Sequence, residues 1–379
     1  MATAVGGLGL VVQLYLKSFG ASTFLIGLVA TFNSIGLLVG SWLWGTVSDH
    51  VKRRRLLALL ALGLAILIGV LILLPSTGVV LGTAMFRSLF FAGFSAVSIA
   101  VISAVSQVER RGKNLSYISS ARAFGFAAGN VAAGVVLELL GFRFAYVLCA
   151  SLPLIALLLL GLLPSENPVP PREKVRAWKA VLSAGVVDLF LATMLRQMAT
   201  FGTFALLYVY MDSIGITPGV MGAVSAANTA TQVIALLIFG RLADWVGRRP
   251  IFMLGFTLSV LTPLVFVFAA NVFGVVAGYV TLGFAFSSMY VGATAHIGDR
   301  VPQERHGQMM GLYESSRGLG GLFGPLIAGA TVPIIGFKGM FLVMAGIAAL
   351  GLLVMLVGRV GHRGGDGRFS LRVTPKPRA

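Results

Sequence analysis

Acidic residues are scarce: the 379-residue chain holds 12 Asp and Glu against 29 Lys and Arg, and charged residues of both signs make up only 11%. Soluble domains carry about 25%. With 57% hydrophobic residues and a mean hydropathy of +0.94, the chain has more apolar surface than a soluble globule can hide, since a globule exposes much of its surface to water. Cysteine is nearly absent as well. The single Cys149 excludes an internal disulfide and a metal site built from several thiolates, and leaves the redox compartment open. Histidine is limited to His50, His296, His306 and His362, scattered along the chain. No His-Glu-x-x-His, no phosphate loop with Gly-Lys-Ser/Thr and no Gly-x-Ser-x-Gly occurs. The sequence therefore predicts no enzyme, no metal centre, no cofactor and no intrinsic ATP-driven pump. The start has no basic n-region and no small-residue cleavage site, so no cleavable signal peptide is expected.

Long apolar runs are what the chain does have. A membrane span needs about 20 apolar residues. Twelve such runs are readable, at 1–16, 23–44, 56–74, 79–104, 115–137, 144–163, 184–211, 219–239, 251–270, 272–297, 308–333 and 339–358. Short polar turns separate them, except for one longer segment at 164–183, where Pro164, Pro168, Pro170 and Pro171 precede a basic stretch. The expected organisation is an N-terminal six-helix unit (1–163), a cytoplasmic linker (164–183), a C-terminal six-helix unit (184–358) and a basic tail (359–379), rich in Gly, Arg and Pro and expected to be disordered.

The excess positive charge is a topology signal. If the N-terminus is cytoplasmic, the linker, the tail and the even-numbered connections share its side and hold 22 Lys and Arg. The opposite side holds Lys17, Arg143 and Lys338, and four arginines fall inside spans. This asymmetry is the positive-inside pattern, so both termini are expected in the cytoplasm of a plasma-membrane protein, facing anionic headgroups. It also argues against nucleic acid as the reason for the basic charge, and no obligate protein partner is predicted.

The chain repeats itself at an offset of 195. Tyr15, Ser18, Gly20, Gly27 and Asn33 meet Tyr210, Ser213, Gly215, Gly222 and Asn228; Gly45, Asp49, Arg53 and Arg54 meet Gly240, Asp244, Arg248 and Arg249; Arg122, Gly125, Gly129 and Gly134 meet Arg317, Gly320, Gly324 and Gly329. Shared Leu or Ala would mean little in so apolar a chain; shared Asp, Arg, Asn and Gly in register mean more. Six spans per unit preserve orientation, so the halves should be related by an axis along the membrane normal. Met1 falls opposite Arg196, inside the seventh span, and the first apolar run ends at Leu16. The first helix is therefore expected to be truncated, by a misassigned start or by real loss.

The connection after the second span reads Gly45-Thr-Val-Ser-Asp49-His-Val-Lys-Arg53-Arg54, and its repeat reads Gly240-Arg-Leu-Ala-Asp244-Trp-Val-Gly247-Arg248-Arg249. The second copy resembles the loop motif of the major facilitator superfamily, departing where Trp245 replaces a base. The first departs at Val47, His50 and Lys52. The resemblance covers about residues 8–358 and implies an all-α membrane protein with 12 transmembrane helices in two pseudo-symmetric six-helix bundles. It implies a secondary transporter working by alternating access, with spans one, four, seven and ten lining a central cavity. In that setting the loop residues form a conformational latch: an Asp faces a neighbouring helix N-terminus and arginines at headgroup level hold it. The plainer reading is a positive-inside anchor.

Span five carries Gly125, Gly129 and Gly134, and span eleven Gly320, Gly324, Pro325 and Gly329. The spacing is similar to the span-five motif of the family's drug antiporters, but Asn130 stands where Pro325 stands in the repeat. Close helix packing explains these glycines equally well.

Ionisable groups inside a membrane are costly and mark pathways or pairings. Arg87 lies near where the family often has an arginine linked to proton coupling. Arg196 and Gln197 lie mid-span, and both Arg87 and Arg196 are too deep to snorkel easily. Arg122 and Arg317 lie nearer span ends and can snorkel; Glu314, three residues before Arg317, can pair with it. Gln13, Asn33, Asn228, Gln232 and Tyr210 are further candidates for a substrate site. Carboxylates available to a proton are few: Asp188, Glu138 and Glu314 sit toward span ends. The leading functional expectation is proton-coupled efflux of small, largely apolar solutes. Uptake or exchange of a small organic anion, with Arg87 and Arg196 as counter-charges, is the alternative, and a non-transporting membrane sensor or scaffold the alternative of another class.

Overall fold

The computed structural model describes residues 1–48, 50–74, 76–106, 110–162, 187–300 and 306–357, with side chains described throughout except at 103–105, 111–113, 115, 116, 162, 244, 248, 249, 292–300, 306–312 and 314. The expected linker and tail lie outside these residues. Among them the chain is helical, without strands. The helices are α1 (Ala2–Ser18), α2 (Thr23–Val47), α3 (Arg53–Leu73), α4 (Thr77–Val105), α5 (Arg111–Leu140) and α6 (Phe142–Leu159), followed by α7 (Val187–Ala205), α8 (Leu207–Ser213), α9 (Pro218–Val246), α10 (Arg248–Phe268), α11 (Val272–Arg300) and α12 (His306–Val357). A chain this apolar satisfies its backbone groups within each segment, which in lipid favours helices. Ser22 and Ser76 cap α2 and α4, each accepting from the backbone N–H three residues on at 3.3 Å.

Nine helices among the described residues are long and apolar enough to cross a membrane, or ten if α7 and α8 count as one. One span differs from expectation. The run read as 184–211 is bent by 41° between α7 and α8, at Leu206. The runs read as 308–333 and 339–358 are, as expected, two helices: α12 is divided where Gly336 adopts φ 71° and ψ −179°. A helix of that length would reach about 78 Å at 1.5 Å per residue, more than twice the hydrocarbon layer of about 30 Å. The left-handed Gly336, which any side chain would strain, is what folds it back.

The 195-residue offset reappears in three dimensions. Gly141 (φ 87°) and Gly336 (φ 71°) make the same sharp corner. Tyr15 meets Phe142 and Tyr146 at 5.3 and 5.4 Å between ring centroids; Tyr210 meets Phe337 and Phe341 at 5.5 and 5.0 Å. A Cβ on Gly129 would strike the carbonyl of Thr3, and one on Gly324 the carbonyl of Met198. Gly125 and Gly320 lie against α1 and α7 in the same way. These contacts hold α1 on α5 and α7 on α12.

The contacts between halves follow the same offset. Gly134 on α5 touches Pro218 of α9, and Gly329 on α12 touches Thr23 of α2. Gly222 abuts Asn130, and Gly27 abuts Pro325. With no hydrophobic drive between helices in lipid, such close approach by small residues supplies much of the attraction. Hydrogen bonds reinforce it: Thr23 Oγ1 donates to the Gly329 carbonyl and Thr31 Oγ1 to that of Leu322, both at 3.1 Å. Lys17 and Asp212, themselves 195 apart, form an ion pair, and Glu138 accepts from the Gly219 N–H at 2.7 Å. These contacts gather at the end away from the basic connection of Lys52, Arg54 and Arg55. Toward the basic end α2 and α12, which still touch at Leu38 and Gly318, border a cleft of about 770 Å³, lined by Leu37, Leu38 and Trp42 on one side and Ser315, Arg317 and Gly318 on the other. Trp42 is 70% exposed there.

Candidate functional site

The first half contains a cavity of about 240 Å³. Val5, Leu8, Gly9, Val12, Gln13 and Leu16 of α1 form one wall; Ile26, Val29, Ala30, Asn33 and Leu37 of α2 form another. Arg87, Ser88 and Phe91 of α4, Phe126 of α5 and Ala205 of α7 complete it. Spacing of three and four along α1 and α2 puts each set on one helix face.

Arg87 is 4% exposed. Its Nη2 donates to the Val80 carbonyl at 3.3 Å, and among the described residues its Nε has no hydrogen-bond partner and it makes no ion pair. Ser88 donates to Asn33 Oδ1 at 2.9 Å, which fixes the Asn33 carboxamide at the cavity wall. Gln13 reaches into the second half: its Nε2 donates to the Phe204 carbonyl and its Oε1 accepts from the Tyr208 N–H, both at 3.2 Å.

The other candidates are placed differently. Arg196 is 2% exposed and donates to Ser259 Oγ at 2.7 Å and to Gln197 Oε1 at 3.1 Å, so it is tied up between α7 and α10. Tyr210 is buried against Phe337 and Phe341 and donates to the Ala269 carbonyl at 2.5 Å; it packs the closed end and lines no cavity described here. Asn228 donates to the Tyr279 carbonyl at 2.8 Å and accepts from Gln232 at 2.6 Å, an interhelical bond rather than a free ligand group. Arg122 is exposed and donates to Ser95 at 3.2 Å. Arg317 lies 5.7 Å from the Phe286 ring centroid and borders the cleft between α2 and α12. Its pairing with Glu314 falls outside the described side chains.

Of the expected latch, Arg53 donates to the Ala100 carbonyl at 3.4 Å and Arg54 to that of Gly161 at 2.8 Å, both within the first half. A Cβ on Gly45 or Gly240 would meet nothing within 4 Å, so neither glycine is in close contact, and Gly247 (φ 94°) caps α9. Asp49, and the side chains of Asp244, Arg248 and Arg249, lie outside the description. Reasoning from sequence missed Gly9, Ser88, Phe91 and Phe126. The repeat held a signal for one of them: Gly9 and Arg87 fall opposite Phe204 and Leu282.

The Major Facilitator Superfamily profile matches residues 1–210 and 189–375. The chain belongs to the Major Facilitator Superfamily. It is thus a multi-pass membrane protein of a transporter family, with a plasma-membrane setting. Multidrug resistance protein MdtG of Salmonella paratyphi A is 24% identical over 347 residues, spanning 88% of this chain and 85% of that one. MdtG of Salmonella arizonae matches with the same identity and coverage. Among solved structures, the nucleoside transporter NupG superposes with a TM-score of 0.79 at 15% identity, covering 94% of this chain and 95% of that one. A bacterial homolog of the human lysosomal transporter Spinster, in an inward-facing and occupied conformation, superposes with a TM-score of 0.76 at 12% identity, covering 94% and 93%. These likenesses concern the fold.

Proposed function

We propose that this transporter is a proton-coupled efflux permease of the multidrug kind, built of twelve spans in two six-helix bundles. Counting α1 as a span, α7 with α8 as one and α12 as two across Gly336 gives that number. With the basic connections placed in the cytoplasm by the positive-inside asymmetry, both termini are cytoplasmic. The cleft between α2 and α12 then opens inward, and the Lys17–Asp212 end faces outward and is closed. The loops at Gly45–Arg54 and 240–249, which lie at the open end, would engage as a latch when the halves rock the other way.

The observation that carries this reading is the two-sided contrast just described: inter-half contacts in symmetric pairs at one end and a cleft at the other. The likeness to MdtG proteins supports the efflux direction. The described carboxylates nearest the moving interface, Asp212 and Glu138, sit at the closed end and hold the halves together there.

The test is internal pH in proteoliposomes carrying a trapped dye. Solutes of drug size are added outside one at a time. Internal alkalinisation on solute addition, absent from empty liposomes, is the expected result; a silent dye across the panel, with protein shown folded, refutes proton-coupled exchange.

A further inference from the structure

The two halves share a fold but not a cavity. In the second half, Thr200, Thr203, Phe204 and Leu282, the repeat positions of the lining residues Val5, Leu8, Gly9 and Arg87, border a space of only about 10 Å³ together with Ser259 and Thr262 of α10. Phe204 fills the space that Gly9 leaves, since a Cβ on Gly9 would meet nothing within 4 Å. Leu282 stands where Arg87 stands in the first half.

The cavity is rich in donors and poor in acceptors. A buried guanidinium is expensive unless its hydrogens are used. The Arg87 Nε–H is buried without a hydrogen-bond partner among the described residues, and the one weak backbone bond from Nη2 is all that those residues supply to the guanidinium that lines the cavity. Asn33 has its Oδ1 engaged by Ser88, which leaves its NH2 group as a donor at the wall. No Asp or Glu is among the lining residues. Around these donors the walls are apolar, with Leu8, Val12, Val29, Phe91 and Phe126.

From this we infer that the cavity seats the head group of an anionic amphiphile, a carboxylate joined to an apolar body, as a transported solute of this protein. A carboxylate accepts in two directions and matches the guanidinium fork. A lipophilic cation is repelled by the same group. The seat lies in the first half, off the pseudo-two-fold axis, because Phe204 and Leu282 deny the second half an equivalent. The inference rests on the efflux reading only for the direction of transport; the seat is a matter of equilibrium binding.

The test uses the full chain in nanodiscs of zwitterionic lipid, so that no lipid anion competes. Binding of naphthoate is compared with binding of the naphthyltrimethylammonium cation. Naphthoate should bind at least tenfold more tightly than the cation. Arg87→Gln should weaken naphthoate by roughly tenfold or more, the loss of a charge-assisted bond, while Arg87→Lys keeps part of it. Gly9→Phe, which copies the second half, should abolish naphthoate binding, and Gly9→Val should weaken it if the larger residue impairs folding. Equal or tighter binding of the cation, absence of naphthoate binding at millimolar concentration, or naphthoate affinity unchanged by Arg87→Gln in a folded protein would each overturn the proposal. Binding without any proton movement in the liposome assay leaves the seat standing and removes proton-coupled efflux. Proton movement driven by cations, with no carboxylate binding, does the reverse.

Discussion

Arg87 and Arg196, two of the buried arginines, make opposite use of similar surroundings. Arg196, in the second half, spends its hydrogens on Ser259 and Gln197 and lines no cavity described here. Arg87, in the first half, lines the cavity and makes one weak backbone hydrogen bond, and its buried Nε has no partner among the described residues. Burial alone, 2% and 4% exposure, does not tell them apart. What separates a structural charge from a working one is whether neighbouring neutral groups have already consumed its donors, because a desolvated cation without partners is costly to keep.

The largest effect should come from making the first half like the second. Arg87→Leu, the residue of the repeat, should lower transport by about 100-fold or more without lowering thermal stability, since replacing a buried charge by an apolar residue is often neutral or stabilising. Transport rate and thermal unfolding of the same preparation check both halves of that statement; a marked fall in Tm would count against it. Arg196→Gln should do the converse and cost stability, by about 1–3 kcal/mol as its hydrogen bonds are lost, read from denaturation in detergent. Removing the ion pair at the closed end should have a smaller effect. Lys17 and Asp212 are 35% and 41% exposed, so the pair is screened, and Asp212→Asn should shift the balance of the two gate states by no more than about fivefold. Accessibility of a cysteine introduced at Ser18 reads that shift, with Cys149, which is buried, as the silent background. Smallest is the pair of tyrosines. Tyr210→Phe should cost about 1 kcal/mol because its hydroxyl bonds the Ala269 carbonyl. Tyr15→Phe should cost nothing, because the Tyr15 hydroxyl is buried without a partner.

Much of this was legible in the residues. Glycines shared at an offset of 195 pointed to close helix packing, and Gly129, Gly134, Gly324 and Gly329 make paired close approaches, because helix proximity depends directly on residues that small; the paired corners and ring contacts follow the same offset. The contrast between Arg87 and Leu282 was also there, as a break in the repeat. Which arginine was satisfied was not legible, since it depends on Ser259, 63 residues away from Arg196 in the chain and on another helix. Nor was the bend at Leu206: no proline or glycine marks it.

That bend has its cause in the opposite half. In an unbroken helix the Tyr208 N–H would donate to the Phe204 carbonyl. Instead the two groups are each held by the carboxamide of Gln13, which stands between them like a spliced link. Gln13 also lines the cavity beside Arg87. One amide thus serves both a ligand seat and the continuity of a helix. A solute that draws Gln13 away would hand the Phe204 and Tyr208 groups back to each other, trading two hydrogen bonds for one and straightening α7 into α8. The arrival of cargo would then be written directly into the backbone of the other half, and the exchange protection of the Tyr208 amide would be its readout.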